Sequence, residues 1–396
     1  MKDSNFVTGG KYDVVVCGGG IAGIAAALAS ARRGKKTLLI ERQFILGGLA
    51  TAGLITVYLP LCDGMGNQVS FGLSEELLRL SILHGAEGEY PENWLDGIGD
   101  KDENSKRFKV RYNANMFAIL AESALEKESV SILYGSLVTD VISKNNKITH
   151  IVVENKSGKV IYETNSVVDA TDDCDVAKMA EVPTTTFRQG NILASWYYYL
   201  NSERYSLCPL GVCDIPDEDK NENNTIDLLC NKRFSGLDGE EISEFVRLSH
   251  KEIYKDFLAK KEKDPNYTIT SIPTVPQLRM TRKIVGEKEL LSCDEHKHFD
   301  DSIGMVSHWR KRGPVYEVPF GTLYNKKVKN LLVAGRCVSS DEAMWDVLRV
   351  IPCCAVTGEA AGTAAALTDD VTKLDVCKLQ EILRKNGVKL HLEEIF

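Results

Sequence analysis

Apolar residues along this chain fall in short unbroken runs near both ends and in alternating or helically spaced patterns between them. Residues 13–17 (DVVVC) and 36–40 (KTLLI) each predict a strand buried on both faces, and the small-residue stretch 21–32 between them predicts a helix. Asn113 and Asn115 are candidate N-caps for a helix reaching Lys127, whose Phe117, Leu120, Ala121, Ala124 and Leu125 share one face. Residues 130–133, 137–143, 147–155 and 159–165 alternate or run apolar between turn-forming residues, predicting one strand and a small antiparallel meander. A further buried strand is expected over 167–170, and residues 85–104, acidic and glycine-rich, read as a surface excursion.

From Phe187 the texture changes. ILASWYYYLN is aromatic and β-prone, residues 214–227 form an acidic, asparagine-rich loop, and 240–263 carry Ile242, Phe245, Val246, Ile253, Phe257 and Leu258 at helical spacing. The early character returns with a strand over 331–334 and an Ala/Gly-dense helix over 354–367. This order predicts an α/β protein: a Rossmann-like domain of parallel sheet plus meander, residues 1–186 and 315–396, with an inserted mixed α+β substrate domain, residues 187–314.

The chemistry begins where the first strand ends. Gly18, Gly20 and Gly23 have G-x-G-x-x-G spacing between strand and helix: the first for a tight turn, the second for backbone approach to a pyrophosphate, the third for close helix packing. The phosphates would sit on the positive end of that helix, and Glu41, at the tip of the second strand, would accept from the ribose hydroxyls. This unit alone admits NAD or FAD.

Composition narrows the class. A net charge of −8 without a basic stripe argues against a nucleic-acid partner. No N-terminal segment has signal-peptide character and no apolar run is long enough to span a bilayer, so a cytoplasmic protein is expected. The eleven cysteines include no C-x-x-C pair, so no metal site is expected; Cys353, Cys354, Cys208 and Cys213 read as small apolar residues, and Cys62 as a buried thiol.

VVVCGGGIAGIAAALA, LLIERQFILGGLATAG, VVDATDDCDVA, QLRMTRKIVGE and the block from NLLVAGRC to GTAAAL, in this order over nearly the whole chain, resemble the FAD-dependent oxidoreductases of the glutathione-reductase-like superfamily, in the branch related to fumarate reductase flavoproteins. The resemblance implies FAD, with Gly18, Gly20, Ile21, Ala22 and Gly23 around the pyrophosphate, Glu41 on the adenosine ribose and Arg42 beside the adenine. It places Gly47, Gly48 and Leu49 along the diphosphate, ribityl chain and isoalloxazine, and the backbone of Val138 at the adenine edge. Ala170 and Thr171 match a family turn, Gly335 and Arg336 a ribityl contact, and Arg349, Val350 and Cys353 a loop facing the flavin pyrimidine. A helix starting near Cys353 would aim its N–H dipoles at the flavin C2 carbonyl.

Two departures stand out. The family's A-T-G-D-G-D turn reads A-T-D-D-C-D here, with Asp172 and Cys174 in place of glycines, so a rearranged turn or an altered pocket is expected. No second G-x-G-x-x-G follows a strand, so electrons are expected from the substrate or from an external donor or acceptor. Chemistry is then expected to be hydride transfer at flavin N5 with a small organic substrate. Arg279 and Arg282 are the candidate catalytic pair. On a strand their odd spacing would send them to opposite faces, and the one reaching the pocket would make the substrate anionic; the alternative is an interdomain ion pair. His308 reads as an exposed loop residue or a proton carrier. A flavin monooxygenase or halogenase, lacking here the W-x-W-x-I-P and second D-G motifs, and a non-catalytic dinucleotide-binding protein are the alternatives.

Overall fold

The apolar run at 13–17 is the end of a longer strand, Val7–Cys17, and its neighbour explains the extension. A computed structural model describes residues 7–86, 109–221 and 226–395, and in it that strand pairs in parallel with Gly158–Asp169, from Val7 opposite Val160 to Cys17 opposite Asp169. The two strands expected at 159–165 and 167–170 are therefore one. Its first half alternates in burial and borders the meander strand Lys147–Asn155; its second half is continuously buried and pairs in parallel with Leu331–Val333. The change of partner along one strand edge produces a change of pattern that reads, in sequence, as two elements.

The sheet runs Ser131–Leu133, Thr37–Ile40, Val7–Cys17, Gly158–Asp169, Lys147–Asn155, Leu137–Lys144, with Leu331–Val333 as its seventh strand. Against it pack the helices Ile21–Ala31 and Ile351–Leu367, backbone to backbone. A Cβ on Gly358 would stand 2.3 Å from the Ala22 carbonyl oxygen, and one on Gly362 2.1 Å from that of Ala26, which is why this helix is dense in Gly and Ala. It starts at Ile351, three residues before the expected 354, because Pro352 is well tolerated in a first turn that needs no N–H from it. Asn113 caps Ala114–Lys127 by accepting the Met116 N–H at 3.0 Å, burying Phe117, Ala121 and Leu125.

The segment between residues 187 and 301 contributes a three-stranded antiparallel sheet, Tyr205–Cys208, Tyr197–Leu200 and Thr268–Ser271, and the helix Gly239–Lys261. It has its own small cores, Leu193, Phe234, Phe245 and Leu278 in one, Tyr197, Tyr199, Ile253 and Tyr267 in another. Strand Ser302–Ser307 pairs with Val315–Pro319, so the 314/315 boundary falls inside a hairpin whose Ile303, Val306 and Tyr316 join the main core. Most of the 85–104 excursion lies outside the described residues. Of the 214–227 loop, Asp214 is buried rather than exposed, paired with Arg233 and Lys220. No single described helix is long and apolar enough to cross a membrane.

Candidate active site

A cleft of about 290 Å³ opens at the carboxyl ends of the parallel strands. Gly18, Gly20, Glu41, Arg42, Gly48, Leu49, Val138, Ala170, Thr171 and Arg336 all line it. Gly236, Ile242, Val275, Pro276 and Leu278 form the facing wall, and of these only Leu278 falls in a quoted motif, QLRMTRKIVGE. Gly18 has φ +105°, and a Cβ there would stand 2.2 Å from the Ala170 carbonyl oxygen. Gly23 lies beneath the turn, where a Cβ would meet the Gly18 oxygen at 1.8 Å. Gly20, by contrast, faces open space: a Cβ there would find nothing nearer than Asp172 Oδ2 at 3.9 Å.

Glu41 is buried and its carboxylate is already anchored, Oε2 by the Gly19 N–H and Oε1 by the Gln43 N–H, each at 2.7 Å. Burial pushes this carboxyl up, and the two backbone bonds pull against that. Each oxygen keeps a further lone pair for a ribose hydroxyl.

The A-T-D-D-C-D turn keeps a glycine-like backbone without glycine: Asp172 has φ +72° and Cys174 φ +56°. Asp169 holds it in that shape. Its buried carboxylate accepts the Thr171 N–H at 3.1 Å, the Thr171 hydroxyl at 2.6 Å and the Ala177 N–H at 2.9 Å. Asp173 takes Arg336 Nη2 at 2.8 Å, and Arg336 Nε donates to the Asp172 carbonyl at 3.0 Å.

Ile21, Ala22, Gly23, Gly47, Gly335, Arg349, Val350 and Cys353 do not line the cleft. Ile21, Ala22 and Gly23 form the first turn of a helix whose N-cap, Gly20, offers no side chain to its free N–H groups. Gly47 bonds through its N–H to the Gly19 oxygen at 2.8 Å, fastening the second loop to the first. Gly335 packs on Ala22, Val350 holds the N-cap position of Ile351–Leu367 without a side-chain cap bond, and burial pushes the Cys353 thiol up.

Arg279 and Arg282 part company, though not by strand alternation: the strand begins only at Arg282. Arg282 faces Asp175 at 3.8 Å. Arg279, 7 % exposed, reaches a cluster assembled from distant parts of the chain. Its Nη2 stands 3.4 Å from Gln277 Oε1, Trp196 lies under it at 5.5 Å, and among the described residues its Nε and Nη1 have no partner. Burial pulls this guanidinium below its ordinary value, and an arginine side chain stays cationic at neutral pH. Beside it Asp346, 1 % exposed, binds Arg310 Nε at 2.6 Å and Arg349 Nε at 3.1 Å, and Trp309 lies 4.1 Å from the Arg310 guanidinium carbon. Cys213 accepts from Arg310 Nη2 at 3.3 Å. Burial would raise this thiol, but Arg349, Arg279 and Arg310 outweigh it and hold it below the ordinary thiol value. Cys213 is therefore not a small apolar residue, and neither is Cys208, which stands 3.0 Å from Lys260 Nζ. His308 is buried, its Nδ1 accepting from the Arg310 and Lys311 N–H groups at 3.2 and 3.3 Å, which corrects the exposed-loop reading.

The family model described as FAD dependent oxidoreductase matches residues 13–195 and 199–383. The chain belongs to that family. It is an oxidoreductase whose cofactor is FAD. Among curated relatives, the tRNA uridine 5-carboxymethylaminomethyl modification enzyme MnmG of Lactococcus lactis subsp. cremoris is 25 % identical over 214 residues, 52 % of this chain and 29 % of that protein. The thiamine thiazole synthase of Sulfolobus acidocaldarius is 29 % identical over 192 residues, 46 % of this chain and 62 % of that one. The match thus spans under a third of the MnmG length. A solved geranylgeranyl bacteriochlorophyll reductase-like protein of Thermoplasma acidophilum is 15 % identical, with 95 % of this chain and 84 % of that chain covered and a TM-score of 0.48.

The cleft suits FAD on its own geometry. A side-chain-free wall at Gly20 adjoins an uncapped helix start, and a carboxylate anchored by two backbone N–H groups stands at Glu41 on the same cleft. Gly18→Ala would force an L side chain into a positive φ and against the Ala170 carbonyl, costing about 3 kcal/mol or more. The purified variant is expected to be colourless, and a full flavin-to-protein absorbance ratio would contradict this. Asp172 puts a carboxylate between Gly20 and Gly335 where a diphosphate would approach. Asp172→Gly removes that charge and the left-handed strain, and is expected to tighten FAD binding roughly tenfold, about 1.4 kcal/mol. Flavin fluorescence titration reads this directly, and weaker binding would show that Asp172 serves the cofactor.

Proposed function

We propose that this oxidoreductase transfers hydride between FAD and a small organic substrate bearing an anionic group, which docks on Arg279. One observation carries the reading: a cation nine-tenths buried leaves two guanidinium donors unpartnered. Buried donors without acceptors are costly, so such a site is completed by a ligand. A planar fork with two free N–H groups matches a carboxylate.

Bound FAD supplies a two-electron hydride acceptor or donor. The protein's part is position and charge. Arg279 does not line the FAD cleft; it lines a separate small cavity with Asn191, Cys213 and Asp214, while its chain neighbour Leu278 lines the cleft, so an anion on Arg279 would have to enter past Leu278. Asp346 fixes Arg310 and Arg349, and Trp196 and Trp309 back the guanidinium planes. When a substrate carbon gives up hydride, the proton leaving its heteroatom needs an acceptor, and Cys213, with its lowered thiol value, is the group in the cluster suited to take it. We place the substrate-facing cap in the inserted segment up to the start of Ser302–Ser307. The net charge of −8 supports a small molecule rather than tRNA as substrate.

The test is anaerobic mixing of the yellow protein with a panel of small carboxylates and their neutral amides, following flavin absorbance. Bleaching by acids and not by amides is expected. Equal bleaching by both would remove the anion requirement.

A further inference from the structure

Glu317 lies fully buried on the strand Val315–Pro319, and among the described residues its ion-pair partners are two histidines, with no lysine or arginine. Its Oε2 accepts the Phe299 N–H at 2.8 Å and stands 2.9 Å from His391 Nδ1. Its Oε1 accepts the Leu392 N–H at 3.2 Å and lies 3.7 Å from His298 Nδ1. The two imidazoles stack with ring centroids 4.5 Å apart and planes 28° from parallel, so both turn Nδ1 toward one carboxylate. One donor atom from each of the three residues lies within 4.8 Å of the others. Glu393 Oε2 stands 4.0 Å from His298 Nδ1, on the open side, and Asp300 Oδ1 lies 3.4 Å from the same ring's Nε2. None of these residues lines the cleft.

A buried carboxylate without a fixed cation calls for compensating charge. Two neutral imidazoles supply none, two imidazolium rings stacked face to face set like charges against each other, and one imidazolium would balance the carboxylate only by protonating a ring. A divalent cation brings the charge with both rings neutral and takes the Nδ1 lone pairs that converge on the carboxylate. Two imidazole nitrogens and a carboxylate oxygen are zinc donors, and the Phe299 and Leu392 N–H groups steady the carboxylate as outer-shell partners do. We propose that His298, Glu317 and His391 bind Zn²⁺, with Glu393 placed to close the site. The ion would tie the segment carrying His391 to residues 298–299 and to the strand Val315–Pro319. Local sequence offers only the His296-x-His298 and His391-x-Glu393 spacings, and seventy-four positions separate Glu317 from His391, so the site is assembled by the fold.

The full chain with FAD, stripped with chelator and dialysed against Zn²⁺ or Co²⁺, tests this by elemental analysis and by the visible bands of four-coordinate Co²⁺. About one equivalent per chain is expected, with a melting temperature that rises with zinc concentration. His298 is half-exposed, so His298→Ala should fold; it is expected to lower zinc affinity by more than about 100-fold and to abolish the zinc-dependent melting shift. His298→Asn, which keeps a polar side chain there, carries the same expectation and guards against misfolding of the first variant. Failure of the wild type to take up zinc, or equal uptake by the His298 variants through exposed Cys293 and Cys377, overturns the proposal. Flavin content is expected to stay unchanged throughout.

Discussion

Arg279→Met is expected to destroy turnover of an anionic substrate while making the protein more stable. Most active-site truncations lower both, so the opposite signs are diagnostic. In the resting chain Arg279 is a buried cation whose Nε and Nη1 find no acceptor, and replacing such a group with an apolar side chain of similar length is worth about 1 kcal/mol or more in stability. With substrate bound the same donors have partners, and losing a buried charged hydrogen bond costs about 2–5 kcal/mol, a fall in kcat/KM of roughly 30- to several-thousand-fold. Denaturant melts and steady-state kinetics on one preparation decide it. Loss of stability together with loss of activity would reduce Arg279 to a structural residue, and retained turnover would move the substrate elsewhere.

Asp346→Asn is expected to have the largest effect on stability. Asp346 is the buried anion shared by Arg310 and Arg349, and an amide in its place would leave both guanidiniums uncompensated beside Arg279. Breaking a buried ion pair on one side costs about 3–5 kcal/mol. The pH dependence has a definite sign. Burial pushes the Asp346 carboxyl up, but Arg349 and Arg310 outweigh it and hold it below its ordinary value. A depressed folded value gives stability that is complete above the ordinary aspartate range, near about pH 4, and is lost as pH falls through the folded value. The variant should therefore lose part of the acid limb of the wild-type stability profile. Adding Arg310→Met to it should recover part of the loss, because the orphaned cation is removed; no recovery would show that the ion pair is not the cause.

The glycine turn and the cleft it borders were largely legible in sequence because their rules are local. Gly18, Gly20, Gly23 and Glu41 are fixed by one strand–turn–helix–strand unit, and the geometry of the turn dictates each residue type. The A-T-D-D-C-D segment left two readings open, a rearranged turn or an altered pocket. Asp169 anchors Thr171 and Ala177 with Asp172 and Cys174 in the left-handed region, and the Asp172 carboxylate stands between Gly20 and Gly335. Arg279 and Arg282 were both visible, but the odd-spacing argument needed a strand that starts only at Arg282.

By itself the sequence determined the cofactor unit, the Rossmann-like frame and the family, since each rests on periodicity or on motifs within a few tens of residues. Only the tertiary structure joined Cys213, Arg279, Arg310, Asp346 and Arg349 into one charged cluster, and His298, Glu317 and His391 into another. The physical reason is the same for both. A glycine turn is specified by its own backbone, but the charge state and free valence of a buried side chain depend on whatever the fold brings against it, and sequence distance carries no record of that.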